Sequence, residues 1–361
     1  MKPSVPPKLP LKNAIDPMVF YKQLITASTN VGKYEVMLKK SKVKEDILIT
    51  PLSLQEAFQS TKIEGAQVTF DEVLEFDIDD GNKNNEARKV INYYKALYHA
   101  RDALSQLPIS TRLLKRLHRI LLSGGVRGES RAPGEFRSIQ NYIGPEGCSI
   151  ENASFVPPEP QKIDEYMSNL EQYINEPEDD LHPLVRVAVI HAQFETIHPF
   201  LDGNGRIGRI LIPLYLYDVG RLEFPNLFIS ETLEKDKHKY YRHLNDTRYQ
   251  ESWNEWIKFF LEAVSRQTVE NMHTIEELDN LYERDLERAK ELINSDRLID
   301  LLRSMFIKPI FDVKTISSLA EIPDSTCRRY LTILEDEGII YSDNRTRNRK
   351  YYYYSLLDLL R

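Results

Sequence analysis

The stretch His198-Pro-Phe-Leu-Asp-Gly-Asn-Gly-Arg-Ile-Gly-Arg209 constrains this chain more than any other part of it. It gathers an imidazole, a carboxylate, an amide flanked by glycines and two guanidiniums. Apolar residues at helical spacing run before it, from Leu184 to Ile197, and after it, from Ile210 to Tyr217. The stretch therefore reads as a loop between two largely buried helices, the second opened by Gly203-Asn204-Gly205. Glycines there let the backbone turn and approach a ligand closely. Leading N–H groups and the helix dipole make an anion nest. Arg206 and Arg209 are three apart and share a helix face, which suits a phosphate chain. Asp202 would repel phosphate unless a Mg²⁺ lay between them. The Asn204 amide can donate to a phosphate oxygen. His198, four residues before Asp202, has a side chain that ordinarily titrates near neutrality, as a general base requires.

The stretch resembles the Fic motif, His-x-Phe-x-(Asp/Glu)-Gly-Asn-Gly-Arg-x-x-Arg, with every fixed position present. The resemblance implies a protein adenylyltransferase, moving AMP from ATP to a Ser, Thr or Tyr hydroxyl of a target protein, the chain itself included. It implies His198 as base, Asp202 as the Mg²⁺ ligand, and Gly203, Asn204 and Gly205 as the phosphate cradle. Arg206 and Arg209 fall on the outer phosphates, with Ile207 and Gly208 between them in the nucleotide-binding stretch. Phe200 becomes a packing anchor for the loop. Relatives that phosphorylate their targets carry Lys at the position of Asp202, so Asp favours AMP transfer. Relatives that use CDP-choline share much of the motif, which leaves the nucleotide donor open.

Far upstream, Leu54, Ala57, Phe58 and Thr61 have helical spacing, and Gly65 looks like the stop. A glutamate at a helix C-terminus is set against the dipole, so Glu64 makes more sense beside a positive group from elsewhere. Ser60-Thr-Lys-Ile-Glu-Gly65 resembles the Fic inhibitory motif. That implies a brake formed by Ser60, Glu64 and Gly65, in which Glu64 pairs with Arg209 and removes the guanidinium that would hold the γ-phosphate. Some relatives use the same glutamate to remove AMP, a second activity left open.

Pro133 to Gly144, followed by Ala153 to Pro158, reads as an irregular hairpin bounded by Gly and Pro. It resembles the Fic flap, which takes an extended target segment by strand addition. Tyr240 and Tyr241 lie on a charged helix, and the resemblance gives Tyr241 a place in the adenine pocket. His191, two turns before His198, is expected to be a packed helical histidine rather than a metal ligand. Gly124 to Gly128 lacks the Lys and Ser/Thr of a phosphate loop and reads as a connector.

The expected fold is mainly α: a Fic helical core with a β-hairpin flap, an N-terminal helical region and a C-terminal winged helix-turn-helix domain. The boundaries expected are 1–105 for the N-terminal region with the inhibitory motif, 106–265 for the core, 266–295 for a charged linker helix, and 296–361 for the winged-helix domain. The proline-rich segment before residue 11 should be extended and lie across another domain. In the tail, Asp324 is placed as a helix cap and Gly338 as its stop. A helix from Ser325 would carry Thr326, Arg328 and Arg329 to DNA bases or phosphates, and a wing, 344–349, would add Arg345, Arg347 and Arg349. The acidic run Glu335-Asp-Glu337 offsets that basic face. A protein contact, such as a homodimer, stays an alternative.

With 361 residues the chain is long enough for two or three domains. A net charge of −7 argues against general coating of nucleic acid or anionic membrane. Two distant cysteines, Cys148 and Cys327, give no disulfide framework, and no run reaches membrane-spanning length, so a reducing cytoplasm is expected. Two rival readings stand beside adenylyl transfer: a DNA-binding regulator whose Fic core senses nucleotide, and a Fic enzyme that removes AMP.

Overall fold

The computed structural model describes the chain apart from Met1, Lys42, Lys44, residues 78–83, Pro145, Glu146, Pro177, Glu178, Asn344 and Asn348. Two positions of the expected wing, Asn344 and Asn348, thus lie outside the described residues. The helices are α1 (Tyr21–Lys40), α2 (Glu45–Ile63), α3 (Phe70–Phe76), α4 (Asn85–Leu104), α5 (Thr111–Leu121), α6 (Ile163–Asn175), α7 (Pro183–Ile197), α8 (Asn204–Asp218), α9 (Ser230–Lys235), α10 (Lys237–Gln250), α11 (Trp253–Leu292), α12 (Arg297–Ile307), α13 (Val313–Leu319), α14 (Asp324–Asp336) and α15 (Tyr354–Leu360). Three short strands follow the same order: β1 (Ile310–Asp312), β2 (Tyr341–Ser342) and β3 (Lys350–Tyr352). The mainly α expectation holds.

Two compact units are each assembled from separated chain segments. The first comprises 1–32, 59–66 and 92–268; the second comprises 33–58, 67–91 and 269–361.

In the first unit α7 and α8 pack on each other, with α6 and α10 against α7 and α5 against α8. Pro183 opens α7, where its missing N–H costs nothing. Residues 184–197 are then buried throughout, so α7 is apolar on all sides because it has no solvent face. Its one arginine, Arg186, is satisfied in place by the Tyr215 hydroxyl at 3.0 Å, the Asp179 carboxylate and the Tyr173 carbonyl. Ser110 caps α5 through the Leu113 N–H, and Leu113, Leu114, Leu117, His118 and Leu121 form its buried face. The proline-rich start is extended, as expected. Ser4 N–H donates to the Val156 carbonyl, Gln193 donates to the Pro7 carbonyl, and Leu9 exchanges two bonds with the Asn169 amide. The flap is irregular, as its punctuation by Gly and Pro predicts. Its only bridge among the described residues joins Ile143 to Phe155.

In the second unit the strands form an antiparallel sheet in the order β1-β3-β2. Ile310 stands opposite Tyr352 on one side of β3, and Tyr341 opposite Tyr352 on the other. The tail holds helices α12, α13 and α14 and the paired β2 and β3, with β1 and α15 in addition. Asp324 differs from expectation. Pro323 occupies the cap position, and Asp324 begins the helix with its carboxylate accepting from the Ser317 hydroxyl at 2.6 Å. Gly338 does end α14, at φ +68°. Of the expected linker helix over 266–295, residues 266–292 belong to the much longer α11, which ends at Leu292.

Candidate active site

The loop 198–203 joins α7 to α8. His198 closes α7 in the left-handed region, at φ 48° and ψ 60°. Gly203 precedes α8 at φ 78°, where a side chain would be strained, and no side chain caps the helix start. The leading N–H groups of α8 therefore keep their donor capacity for a ligand.

Phe200 anchors the loop. It is fully buried, stacks on the His118 ring at 3.8 Å between centroids, and tilts against Phe136. Its backbone is bonded on both sides by Asn204: Oδ1 accepts from the Phe200 N–H and Nδ2 donates to the Phe200 carbonyl, both at 2.8 Å. This gives Asn204 a loop-closing role that the sequence did not suggest. Its amide closes the loop, and the second N–H of Nδ2 is the donor left for a phosphate oxygen.

Around the loop, Asp202 has a half-buried carboxylate, with Arg206 Nη2 at 3.4 Å from Oδ1. Arg206 is 3% exposed, and its Nε and Nη1 have no hydrogen-bond partner. His198 Nδ1 is likewise buried and unpartnered. Buried donors in that condition are costly unless a ligand meets them. Burial, reinforced by the Arg248 guanidinium, pushes the His198 ring down to about 3. That corrects the expected titration near neutrality: the ring is neutral at pH 7, with a lone pair available to take a proton.

Arg209 is bonded to the upstream Ser60–Glu64 segment. Its Nε donates to Ser60 Oγ at 2.8 Å, and Nη2 donates to the Ser60 carbonyl at 2.9 Å and to Glu64 Oε1 at 2.7 Å. Gly65 ends this segment at φ +89°. A Cβ on Gly205 would collide with the Glu64 carboxylate, so the contact needs glycine there. Burial would raise the Glu64 carboxyl, but the Arg209 and Arg206 guanidiniums outweigh it and hold the group below its ordinary value. The sequence-predicted Ser60, Glu64 and Arg209 are thus brought together.

Tyr241 is 38% exposed, whereas its neighbour Tyr240 is buried and bonds His191 Nε2 at 2.9 Å. His191 Nδ1 meets the Gly208 carbonyl at 2.9 Å. The packed reading of His191 holds, and among the described residues no group of three His, Cys, Asp or Glu converges as a metal cage.

Several residues escaped sequence reasoning. His118 joins the Asp202 carbonyl to the Gly134 N–H, at 2.9 and 2.8 Å. Arg137, 2% exposed, donates to the carbonyls of His198 and Pro158, at 3.0 and 2.6 Å. Glu195 is buried under Gly208 with Oε1 unpartnered, and burial raises its carboxyl to about 7. The signal that could have found them is a polar residue on an apolar helix face, as His118 is among the leucines of α5.

In the second unit, a cavity of about 780 Å³ is lined by Lys314, Arg328, Arg345, Arg347 and Arg349 together with one carboxylate, Asp312. Of the candidate DNA contacts, Thr326 and Arg329 are not in that lining; Arg329 lies over the Tyr330 ring.

Two family models match, Fic/DOC family over residues 108–216 and Fic/DOC family N-terminal over 21–102. Among curated relatives, the protein adenylyltransferase Fic of Nematostella vectensis is 27% identical over 213 residues, 58% of this chain and 44% of that protein. The same-named protein of Drosophila grimshawi is 31% identical over 196 residues, 53% of this chain and 37% of that protein. The chain thus spans less than half the length of these relatives. In fold, it is similar to a crystal structure of a Fic family protein from Desulfovibrio desulfuricans, at a TM-score of 0.60 and 19% identity over 98% of both chains.

Proposed function

The chain belongs to the Fic/DOC family, and from that premise we propose that it is a protein adenylyltransferase whose resting form is held back by Glu64. The observation that carries this is the set of buried, unpartnered polar atoms at the start of α8, Arg206 Nε and Nη1 and His198 Nδ1, beside the Asp202 carboxylate. A nucleotide polyphosphate would satisfy the arginine and the helix N–H groups together.

In this reading a target hydroxyl attacks the α-phosphorus of ATP. Its proton passes to the neutral His198 ring, the bond from α-phosphorus to the bridging oxygen breaks, and pyrophosphate leaves. The residues present fit a Mg²⁺, because one half-exposed carboxylate plus phosphate oxygens and water make its usual shell. Held by Asp202, it would supply charge neutralisation on the phosphates. Asp202 keeps that carboxylate in place, Arg206 binds and orients the outer phosphates, and Arg137 fixes the peptide of the base. Arg209 would hold the γ-phosphate once Glu64 withdraws; while Glu64 occupies it, ATP sits unproductively. The flap takes the target's extended segment.

The test compares wild type, Glu64→Gly and Glu64→Gly/His198→Ala, using ATP radiolabelled at its α-phosphate. Labelled protein should rise sharply in the single variant and vanish in the double. Silence of Glu64→Gly despite bound ATP would overturn the reading and favour a nucleotide sensor.

The basic cavity favours a second, separate reading of the tail as a nucleic-acid contact. Lys314, Arg328 and Arg347 line it without any carboxylate ion pair among the described residues. Anisotropy of a fluorescent DNA duplex should then show binding by the full chain that weakens with salt, and Arg347→Ala should lower the salt slope by about one. Absence of salt-dependent binding would sink it.

A further inference from the structure

We propose that His118 is a positioning residue for the phosphate site. As a neutral imidazole protonated on Nε2, it fixes the Asp202–Gly203 peptide so that the Asp202 carboxylate and the Gly203 N–H both serve the phosphates. The chemistry served rests on the adenylyl-transfer reading; the contact itself does not.

Hydrogen-bond logic sets the tautomer. The Gly134 N–H can only donate, and it points at His118 Nδ1 at 2.8 Å, so Nδ1 carries a lone pair. A neutral ring then has its hydrogen on Nε2, which donates to the Asp202 carbonyl at 2.9 Å. Stacking on Phe200 at an interplanar angle of 8° holds the ring plane, and the side chain is fully buried. The ring therefore has one orientation and one proton position, both dictated by backbone groups from two separate loops.

The consequence runs through the peptide. Among the described residues the one cis bond is Leu9–Pro10, so the 202–203 peptide is trans, with its carbonyl and N–H antiparallel. Aiming the carbonyl at His118, on the α5 side, turns the Gly203 N–H the opposite way. The same constraint fixes the Asp202 backbone from which the carboxylate projects. Gly134 belongs to the start of the flap, so one ring couples the flap's base to the phosphate loop.

Two substitutions separate the halves of this role. His118→Gln keeps an N–H donor near the Nε2 position; His118→Asn keeps an acceptor near Nδ1 and loses the reach to Asp202. In full-length chain carrying Glu64→Gly, ATP binding is measured by calorimetry with Mg²⁺ and with EDTA. His118→Asn should cut the Mg²⁺-dependent gain in affinity about tenfold, the worth of one hydrogen bond. Affinity in EDTA should stay within about twofold, and His118→Gln should restore most of the gain. Equal losses in both variants, parallel with and without Mg²⁺, would reduce His118 to a core residue and overturn the proposal. Ring-nitrogen NMR of the unsubstituted chain needs no variant: a proton on Nε2 supports the assignment, and one on Nδ1 overturns it. Mg²⁺-dependent ATP binding with no transfer by Glu64→Gly would remove the reaction assigned above and leave the His118 result standing.

Discussion

Arg206 and Arg209 stand one turn apart on α8, both nearly fully buried, and their guanidiniums meet opposite conditions. Arg209 makes three bonds to protein, two to Ser60 and one to Glu64. Arg206 has a single long contact to Asp202 and two nitrogens with no partner. A buried guanidinium without partners is expensive, and one fully bonded is not. The contrast teaches that the inner end of the site is shaped for a ligand, whereas the outer end is filled by the chain's own carboxylate. In the proposed reading, such a contact would block a pose of the nucleotide rather than the nucleotide itself.

The largest effect expected is on the base. In the Glu64→Gly background, His198→Ala should lower transfer by about 10²–10⁴-fold, with ATP affinity nearly unchanged. The base must be neutral, and its folded value lies near 3, far below the ordinary 6.5. The rate should therefore stay flat as pH falls through 6.5, and an inflection there would show that the ring is less buried in the working state. The comparison itself is sharpened by alanine at each arginine. Arg206→Ala should weaken ATP binding by roughly 10–100-fold in the wild-type chain, as loss of charged hydrogen bonds implies. Arg209→Ala should change it little until Glu64 is also replaced; equal losses in the braked chain would break the comparison.

Stability tests come next. Glu195 has its carboxyl raised from 4.5 to about 7 by burial, so the folded state binds the extra proton. Its contribution is present below about pH 4.5 and is lost as pH rises through about 7, by up to about 3 kcal/mol. Glu195→Gln should flatten that decline in denaturant titrations. Smallest is Glu64→Gln, which leaves Arg209 short of one charged partner and should cost about 1–3 kcal/mol without nucleotide. Saturating ATP should recover more stability in this variant than in wild type.

The loop between α7 and α8 was legible because both flanking segments are buried on every side, a pattern that periodicity and composition reveal directly. The contact of Glu64 with Arg209 was legible only through resemblance, since no local pattern pairs residues so far apart in sequence. His118 hid because its partners are backbone groups of Asp202 and Gly134, which have no side-chain signature. The loop-closing role of Asn204 hid for a related reason: its partners are backbone groups of Phe200, a need visible only once Phe200 is buried. Strand β1 is three residues long and runs into α13, too short for alternation to register.

The absence of a side chain at residue 205 has an evolutionary reading. Any larger residue there would push the Glu64 carboxylate away and crowd the Arg209 guanidinium, so under the proposed function releasing the brake and harming the site would be one event. If the proposed brake is correct, selection on its tightness would act on the Ser60–Glu64 segment rather than on residue 205. At that end of α2, the proposed restraint could be tuned, lost or regained by inheritance with the loop between α7 and α8 untouched.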